Sequence, residues 1–269
     1  MQKKLSRLKK IIARYGSCVV AFSGGVDSTF LLKVASLVLP KDKLLAVTAD
    51  SATYPKEELK FSKEITGQLG VRHKVIRTQE LKDARFIANP VNRCYFCKKE
   101  LFAKLKNIAA RHNLNFVLEA GTITDRKDFR PGNIAKKELK VRSPLEEAGF
   151  TKEEIRGLSR QMGLATWNKP SLACLASRLA YGIKISPPLL SRIHRIEVFL
   201  RGMGFGQVRL RHYDSTCRIE VEKKDIPRLM HKRTEVVDKL KKLGYNYVTI
   251  DLEGYRSGSL NEVLRRTKR

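Results

Sequence analysis

Acidic residues are scarce in this chain. Against 55 lysines and arginines stand only 27 aspartates and glutamates, a formal net charge of +28. An excess of that size attracts polyanions, and nucleic acid is the usual inference. The charge does not by itself establish such a partner. It is spread along the chain, and mixed runs such as Pro55-Lys56-Glu57-Glu58-Leu59-Lys60 read as solvated helix faces. Abundant lysine in ion-pair networks also suits a high growth temperature. Long apolar runs are missing too. No stretch of 18 apolar residues occurs, so no transmembrane helix is expected. The first ten residues are too charged for the apolar core of a secretory leader. Cysteines are few and odd in number, five in 269 residues, which argues against a disulfide framework and for a reducing cytosol. Repeats and low-complexity segments are absent. The 42% apolar content is enough for a core, in one large domain or two modest ones.

What is present is concentrated near the start. The apolar run Val19–Phe22 reads as a buried strand, and Thr29–Ala35 has helical spacing. Between them lies Ser23-Gly24-Gly25-Val26-Asp27-Ser28. A Gly-rich turn between strand and helix directs backbone N–H groups at one spot, with the helix dipole behind them, and so cradles phosphate. The common nucleotide loop, G-x-x-x-x-G-K-[ST], would place a lysine where Asp27 stands. An acid beside phosphates makes sense as a ligand of Mg²⁺, which prefers hard oxygen donors. The plainer reading is a tight turn with Ser28 as helix cap, but a turn needs neither a second glycine nor an acid. The pattern resembles the PP-loop of ATP pyrophosphatases, which cleave ATP between the α- and β-phosphates and adenylate a substrate.

Strand-like and helical runs alternate after this point. Strands are predicted at Val19–Phe22, Leu44–Ala49, His73–Ile76 and Phe116–Glu119, with a weak one near Val141. Helices are predicted at Leu5–Tyr15, Ser28–Leu39, Pro55–Leu69, Cys97–Asn113 and Thr151–Met162. Alternation of short apolar strands with helices implies a parallel, doubly wound α/β sheet covered on both faces. Ligands of such sheets bind at the carboxyl ends of strands near a switch point. Asp50-Ser51 and Gly121 occupy such ends and are expected to face the Gly24-Gly25 loop. The composition shifts near residue 165. The expected organisation is a nucleotide-binding domain over 1–165, a linker over 166–188, and a small α+β domain over 189–269. That domain reads as helix Leu189–Met203, strands Gln207–His212 and Arg218–Glu222, helix Ile226–Leu243 and strand Tyr247–Leu252.

Cys94 and Cys97 form a C-x-x-C at a predicted helix start, and Cys174 follows far downstream. Thiols so placed bind zinc, form a redox dithiol or hold an iron–sulfur cluster. His194 and His212 are weak candidates for a fourth ligand, and no convincing one stands out. Three thiolates without a fourth suit a cluster with one open iron. Cys18 and Cys217 read as small buried hydrophobes. Trp167 is expected to pack at the domain junction. Arg209 and Arg211 alternate on a predicted strand and so share a face, and Arg256 follows in a loop. Guanidinium forks suit phosphate; the plainer reading is a charged, exposed strand face.

Several segments together resemble the LarE family. They are the loop 23–28, Asn89–Lys98, Arg142-Ser143-Pro144-Leu145, Lys169–Arg178 around Cys174, and Gly254–Glu262. The resemblance spans the chain. It implies an ATP-dependent sulfurtransferase that adenylates a carboxylate of pyridinium-3,5-biscarboxylic acid mononucleotide and converts it to a thiocarboxylate for the nickel-pincer nucleotide cofactor. It also implies that Ser23, Gly24, Gly25, Asp27 and Ser28 bind ATP phosphates and Mg²⁺, with Asp50, Ser51 and Gly121 lining the nucleotide. Arg209, Arg211 and Arg256 then match residues that bind the mononucleotide phosphate. Some members keep only the cysteine matching Cys174 and sacrifice its sulfur. Others carry three that hold a 4Fe–4S cluster, and Cys94, Cys97 and Cys174 give this chain the look of the cluster type. The resemblance implies a homo-oligomer, a hexamer; the cysteine usage and the lack of a long apolar run point to a cytoplasmic protein without membrane association. One segment departs: Glu119-Ala120-Gly121-Thr122-Ile123-Thr124-Asp125-Arg126 stands where the family shows an Asp-Gly-Thr-Asn-like run. The rival readings are a tRNA-thiolating enzyme, which the charge favours, and a zinc-stabilised RNA- or nucleotide-binding module. Recognition of RNA bases would want exposed aromatics among the basic residues, and the second domain has few.

Overall fold

The computed structural model describes residues 1–127, 130–170 and 173–266. Ser171 and Leu172 of the Cys174 segment lie outside the described residues. The chain divides into two compact units. One comprises Met1–Asp83 and Asn92–Lys169; the other comprises Ala84–Val91 and Pro170–Arg269.

The first unit carries β1 (Cys18–Ala21), β2 (Leu44–Asp50), β3 (Arg72–Arg77) and β4 (Phe116–Leu118) in one sheet. Strand order is β3-β2-β1-β4 and every pairing is parallel. Its helices are α1 (Gln2–Tyr15), α2 (Val26–Ser36), α3 (Lys56–Gln68), α5 (Arg93–Arg111), α6 (Gly132–Glu138), α7 (Pro144–Glu147) and α8 (Lys152–Gln161); the short α4 (Ala84–Ile87) belongs to the second unit. Alternate strand residues go to opposite cores, as the pleat requires. Cys18, Val20, Leu44 and Ala46 join a cluster with Leu8, Phe30 and Ile155; Val19, Leu45 and Val47 join another with Phe102, Leu105 and Ala135. Burial on both faces explains why these strands read as continuous apolar runs. The sheet reverses direction beside β1: β2 and β3 grow one way and β4 lies on the other side. The turns after β1 and β4 therefore leave the same edge at the switch point.

The second unit holds α9 (Pro187–Gly202), β5 (Val208–Tyr213), β6 (Thr216–Val221), α10 (Ile226–His231), α11 (Arg233–Lys242), β7 (Tyr247–Ile250) and α12 (Glu262–Arg266). Its sheet has the order β5-β6-β7, antiparallel then parallel. The turn before the C-x-x-C belongs here. Asn89 is fully buried, and its side chain donates to the Ala180 carbonyl at 2.8 Å.

Four details depart from the sequence expectation. The helix bearing the C-x-x-C starts at Arg93, not Cys97, because the preceding turn already ends at Asn92. Pro187-Pro188, read as closing a loop, open α9, where missing N–H groups do no harm. The helix expected over Ile226–Leu243 breaks at Lys232. Leu229, Val236 and Leu240 stay buried on both sides of the break, so their spacing gave no sign of it. The strand near Val141 is reduced to one bridge, Leu118 with Arg142.

Candidate active site

Gly24 takes a left-handed φ of +65°. A Cβ there would lie 2.6 Å from Ser62 Oγ, so α3 crosses directly over the loop and only glycine fits. Gly25 is the N-cap of α2 and supplies no side-chain cap. The amides of Val26, Asp27 and Ser28 are thus first-turn donors without an intrahelical acceptor. Ser28 Oγ does not cap the helix as a simple turn would have it. It donates to the Gly25 carbonyl at 3.2 Å and meets Ser23 Oγ at 3.1 Å, bracing the loop from within. Thr48 Oγ1 holds the Phe22 carbonyl at 2.8 Å, and His73 holds Thr48 at 2.8 Å.

Asp27 stands in the first turn of α2. Burial pushes its carboxyl up to about 6, and Asp125 adds to the push; Lys152, Arg156 and Arg130 oppose it. Asp125 is itself fixed. Its Oδ2 accepts from the Thr122 amide at 2.9 Å and hydroxyl at 3.1 Å, and its Oδ1 meets Lys152 at 2.7 Å and Arg130 at 2.8 Å. Two acids among three cations at the switch point make a site suited to a hydrated divalent cation with bound phosphates. Asp125 lies in the departing segment 119–126, and its role was not legible there. Glu119, from the same segment, accepts from the Gly121 amide at 3.1 Å and from Ser143 Oγ. Asp50 ends β2, the strand that pairs with β1, and Ser51 follows it. Ser51 is locked in a turn with Thr53 and the buried Glu80.

Three contributors escaped sequence reasoning because they come from distant segments. The Tyr54 hydroxyl donates to the Ser23 carbonyl. Burial, with Glu58 nearby, raises its hydroxyl well above the ordinary range. Ser62 Oγ is buried with no hydrogen-bond partner among the described residues. Lys169 Nζ lies 2.6 Å from Glu58, 3.2 Å from the Gly24 carbonyl and 3.6 Å from the centre of the Phe61 ring. Burial pulls this ammonium down although Glu58 favours its charge. A cation thus reaches the phosphate loop from position 169 rather than from the loop itself. Lys169→Met should lower stability by roughly 2 kcal/mol, because it strands the Glu58 carboxylate. Glu58→Gln on top of it should restore most of the loss in urea denaturation. An unchanged midpoint in the single variant would rule this pair out as a structural tie.

Cys94 is exposed and Cys97 half-buried; they are the second and fifth residues of α5, three apart and hence on one face. Cys174 is exposed at the head of the turn Leu175–Arg178. Its carbonyl accepts from the Ser177 amide at 2.9 Å and from the buried Arg178 at 3.2 Å, so the backbone is fixed and the thiol open. Cys18 and Cys217 are fully buried, and burial pushes both thiols up to about 12. They are inert, as expected. Among the described residues no three His, Cys, Asp or Glu form a metal-ligand group. Thiolate is the donor that zinc and iron–sulfur centres take, and Cys94, Cys97 and Cys174 each carry an accessible thiol. His212 is buried against the Tyr245 hydroxyl at 2.9 Å. Trp167 is exposed, with Arg160 over its ring at 5.0 Å.

The arginines of β5 are buried, not displayed on a surface. Arg211 makes a two-pronged pair with Glu220 at 2.9 and 2.8 Å and also donates to Ser259 Oγ and the Ser177 carbonyl. Arg178 makes the same kind of pair with Glu197. Arg209 stacks over Tyr255 at 5.2 Å; burial and the nearby Arg178 pull its guanidinium down to about 10. Arg256 meets Asp251, Glu253 and Glu262. The buried carboxylates of Glu197, Glu220 and Asp251 each meet two arginines: Glu197 meets Arg178 and Arg201, Glu220 meets Arg211 and Arg218, and Asp251 meets Arg218 and Arg256.

A four-stranded parallel sheet with this glycine loop after its first strand is a PP-loop α/β domain. The family model for queuosine biosynthesis protein QueC matches residues 17–90, the stretch holding the loop. Over 249 residues the chain is 35% identical to the pyridinium-3,5-bisthiocarboxylic acid mononucleotide synthase of Lactiplantibacillus plantarum, covering 93% of this chain and 90% of that protein. It is 39% identical over 266 residues to the uncharacterized protein slr1717 of Synechocystis sp., covering 98% and 99%. Identity to the uncharacterized protein MJ0830 of Methanocaldococcus jannaschii is 28% over 258 residues, covering 95% and 98%. The chain is an enzyme of the LarE family, to which the Lactiplantibacillus synthase belongs. Among the described residues no helix is long and apolar enough to cross a membrane.

Proposed function

We propose that this chain is an ATP-dependent sulfurtransferase that adenylates a carboxylate of pyridinium-3,5-biscarboxylic acid mononucleotide and replaces one of its oxygens with sulfur. The observation that carries this reading is a glycine loop with a half-buried aspartate in place of the Walker lysine, beside a second anchored aspartate. The first-turn amides of α2, with Ser23, Gly24, Gly25 and Ser28, hold the phosphates. Asp27 holds Mg²⁺, and Asp50, Ser51 and Gly121 border the adenosine. A substrate carboxylate oxygen attacks the α-phosphorus, the bond to the bridging oxygen breaks, and pyrophosphate leaves. The first-turn amides and Lys152, Arg156 and Arg130 offset the charge that develops on the departing group. Sulfide sulfur then attacks the acyl carbon; the bond to AMP breaks, leaving a thiocarboxylate. Such a product serves assembly of a nickel-pincer nucleotide.

Cys94, Cys97 and Cys174 would hold a 4Fe–4S cluster, which supplies an open iron position for exogenous sulfide. The unit carrying the glycine loop activates the carboxylate; the smaller one binds the substrate phosphate and supports a cytoplasmic homo-oligomer. Arg178 and Arg211 lie close enough to Arg209 to act on its charge, and such a group of guanidinium forks suits a phosphate monoester. Arg211→Ala is a poor test of this role, because it would leave Glu220 buried without its main partner and unfold the unit. Arg209→Lys keeps the charge and loses the fork. It should raise the KM for the mononucleotide about tenfold with the KM for ATP unchanged. Equal KM values for the mononucleotide would remove Arg209 from its site. The reading as a whole is tested by mass spectrometry after incubation with ATP, Mg²⁺, sulfide and the mononucleotide. AMP, pyrophosphate and a product with oxygen exchanged for sulfur are expected. Sulfur appearing in tRNA instead would replace this reading.

A further inference from the structure

Helix α1 breaks the local rules that the other charged helices obey. It contains Lys3, Lys4, Arg7, Lys9, Lys10 and Arg14 and no acid. By contrast α3, α8 and α11 mix both signs, and α8 begins with a capping box. Lys3 and Lys4 sit in the first turn, where the helix dipole opposes cations. Lys3 with Arg7, and Lys10 with Arg14, are like-charge pairs one turn apart, each unfavourable by a few tenths of a kcal/mol. At about 100° per residue, Lys3, Arg7, Lys10 and Arg14 fall within an arc of about 60°, a straight stripe about 16 Å long. All four are exposed. Among the described residues none of them makes an ion pair with a carboxylate.

The stripe lines a cleft of about 630 Å³ with Ser6, Ile11 and Glu147. Glu147 does not neutralise it, because both its oxygens are engaged by Arg142 at 2.9 and 2.8 Å, and Tyr15 donates to one of them at 2.9 Å. None of the acids and amides of the glycine loop, and neither Asp27 nor Asp125, lines this cleft.

We infer that the α1 stripe is a second anion site, which takes the phosphate backbone of a nucleic acid without reading its bases. The cations are strung along a line rather than converging on a point, so they fit a row of phosphates better than one small anion. A membrane surface fits less well. The apolar face of α1 (Leu5, Leu8, Ile12, Tyr15) is packed in the core, leaving nothing to insert among lipids. No aromatic side chain lines the cleft, so it offers no stacking platform for bases. This site is independent of the sulfur-transfer reading.

The test is fluorescence anisotropy of labelled single-stranded RNA and DNA oligonucleotides between 50 and 200 mM salt, run on the full chain. Lys3→Gln/Arg7→Gln/Lys10→Gln/Arg14→Gln keeps good helix formers and relieves the like-charge pairs, so its melting temperature should not fall. A control, Lys60→Gln/Lys239→Gln/Lys241→Gln/Lys242→Gln, removes the same charge from exposed mixed faces. The α1 variant should lose at least tenfold in affinity at 100 mM salt, and its salt slope should fall by about 0.7 per cation removed. The control should keep most of both. Equal losses in the two variants would show that net charge alone binds, and would overturn the site. So would wild-type protein that ignores both oligonucleotides, or that floats with phosphatidylserine vesicles while ignoring RNA. ATP-dependent pyrophosphate release should be the same in the α1 variant and the wild type.

Discussion

Asp27→Asn is expected to abolish pyrophosphate release while making the ligand-free protein more stable. The two effects share one cause. The carboxyl is half-buried, which pushes it up to about 6 from an ordinary 3.8. A carboxyl whose folded value is raised favours the protonated folded state. Its ionisation therefore works against folding: the stability is present at low pH and is lost as pH rises through about 6. A shift of about two units corresponds to roughly 3 kcal/mol at pH 7.5 and about half of that at pH 5. Asparagine keeps the shape and drops the charge. Urea denaturation of the ligand-free variant should show the gain at pH 7.5 and a smaller one at pH 5. The same substitution removes the hard anionic ligand proposed for Mg²⁺ beside the phosphates. Turnover of ATP to AMP and pyrophosphate should fall by about 10³-fold. A stable variant that still releases pyrophosphate would take Asp27 out of the reaction. Wild-type products of ADP and phosphate would refute α–β cleavage altogether.

The proposed route of sulfur to the activated carboxylate is tested at Cys174. Its thiol is exposed, while the buried Arg178 donates to the backbone carbonyls of Ala173 and Cys174, at 2.7 and 3.2 Å. After anaerobic reconstitution with iron and sulfide, the protein is expected to turn over repeatedly, with Cys174 unchanged in mass. Cys174→Ala should then release pyrophosphate normally yet lose sulfur transfer by at least 10³-fold. Cys94→Ala and Cys97→Ala should do the same, with loss of the iron absorption band. A sacrificial cysteine would behave otherwise. Its sulfur would attack the acyl carbon, its Cβ–Sγ bond would break by elimination, and each chain would act once. Cys174 would then lose the mass of about one H₂S and become dehydroalanine. That result with a fully active Cys94→Ala, or tightly bound zinc, would show that the three thiols do not serve as one sulfur-delivering set.

The strands of the parallel sheet were legible because both of its faces are buried. Val19, Val20, Leu45, Ala46 and Val47 must all be apolar, whichever core they face. The glycine loop was legible for a related reason. A left-handed turn under a crossing helix admits only Gly24, and a helix start that must bind phosphate uses bare amides, leaving a short local signature. The cysteines announced themselves by spacing, and burial separated Cys18 and Cys217 from the rest.

Other parts of the site had no local signature. Lys169 reads as one more lysine in a loop, and only the fold brings it to Gly24, Glu58 and Phe61. Asp125 sits in a segment that looked merely irregular until its hydrogen bonds to Thr122 and its pairs with Lys152 and Arg130 gave it a place. Arg209 and Arg211 alternate as an exposed strand face would, yet both are buried, because Glu197 and Glu220 come from other elements to meet this arginine cluster. Sequence alone determined what depends on neighbours along the chain: alternation, turns, caps and the choice of acid over lysine in the loop. Only the tertiary structure decided which charges meet, since an ion pair over a hundred residues wide is set by packing and leaves no period in the sequence.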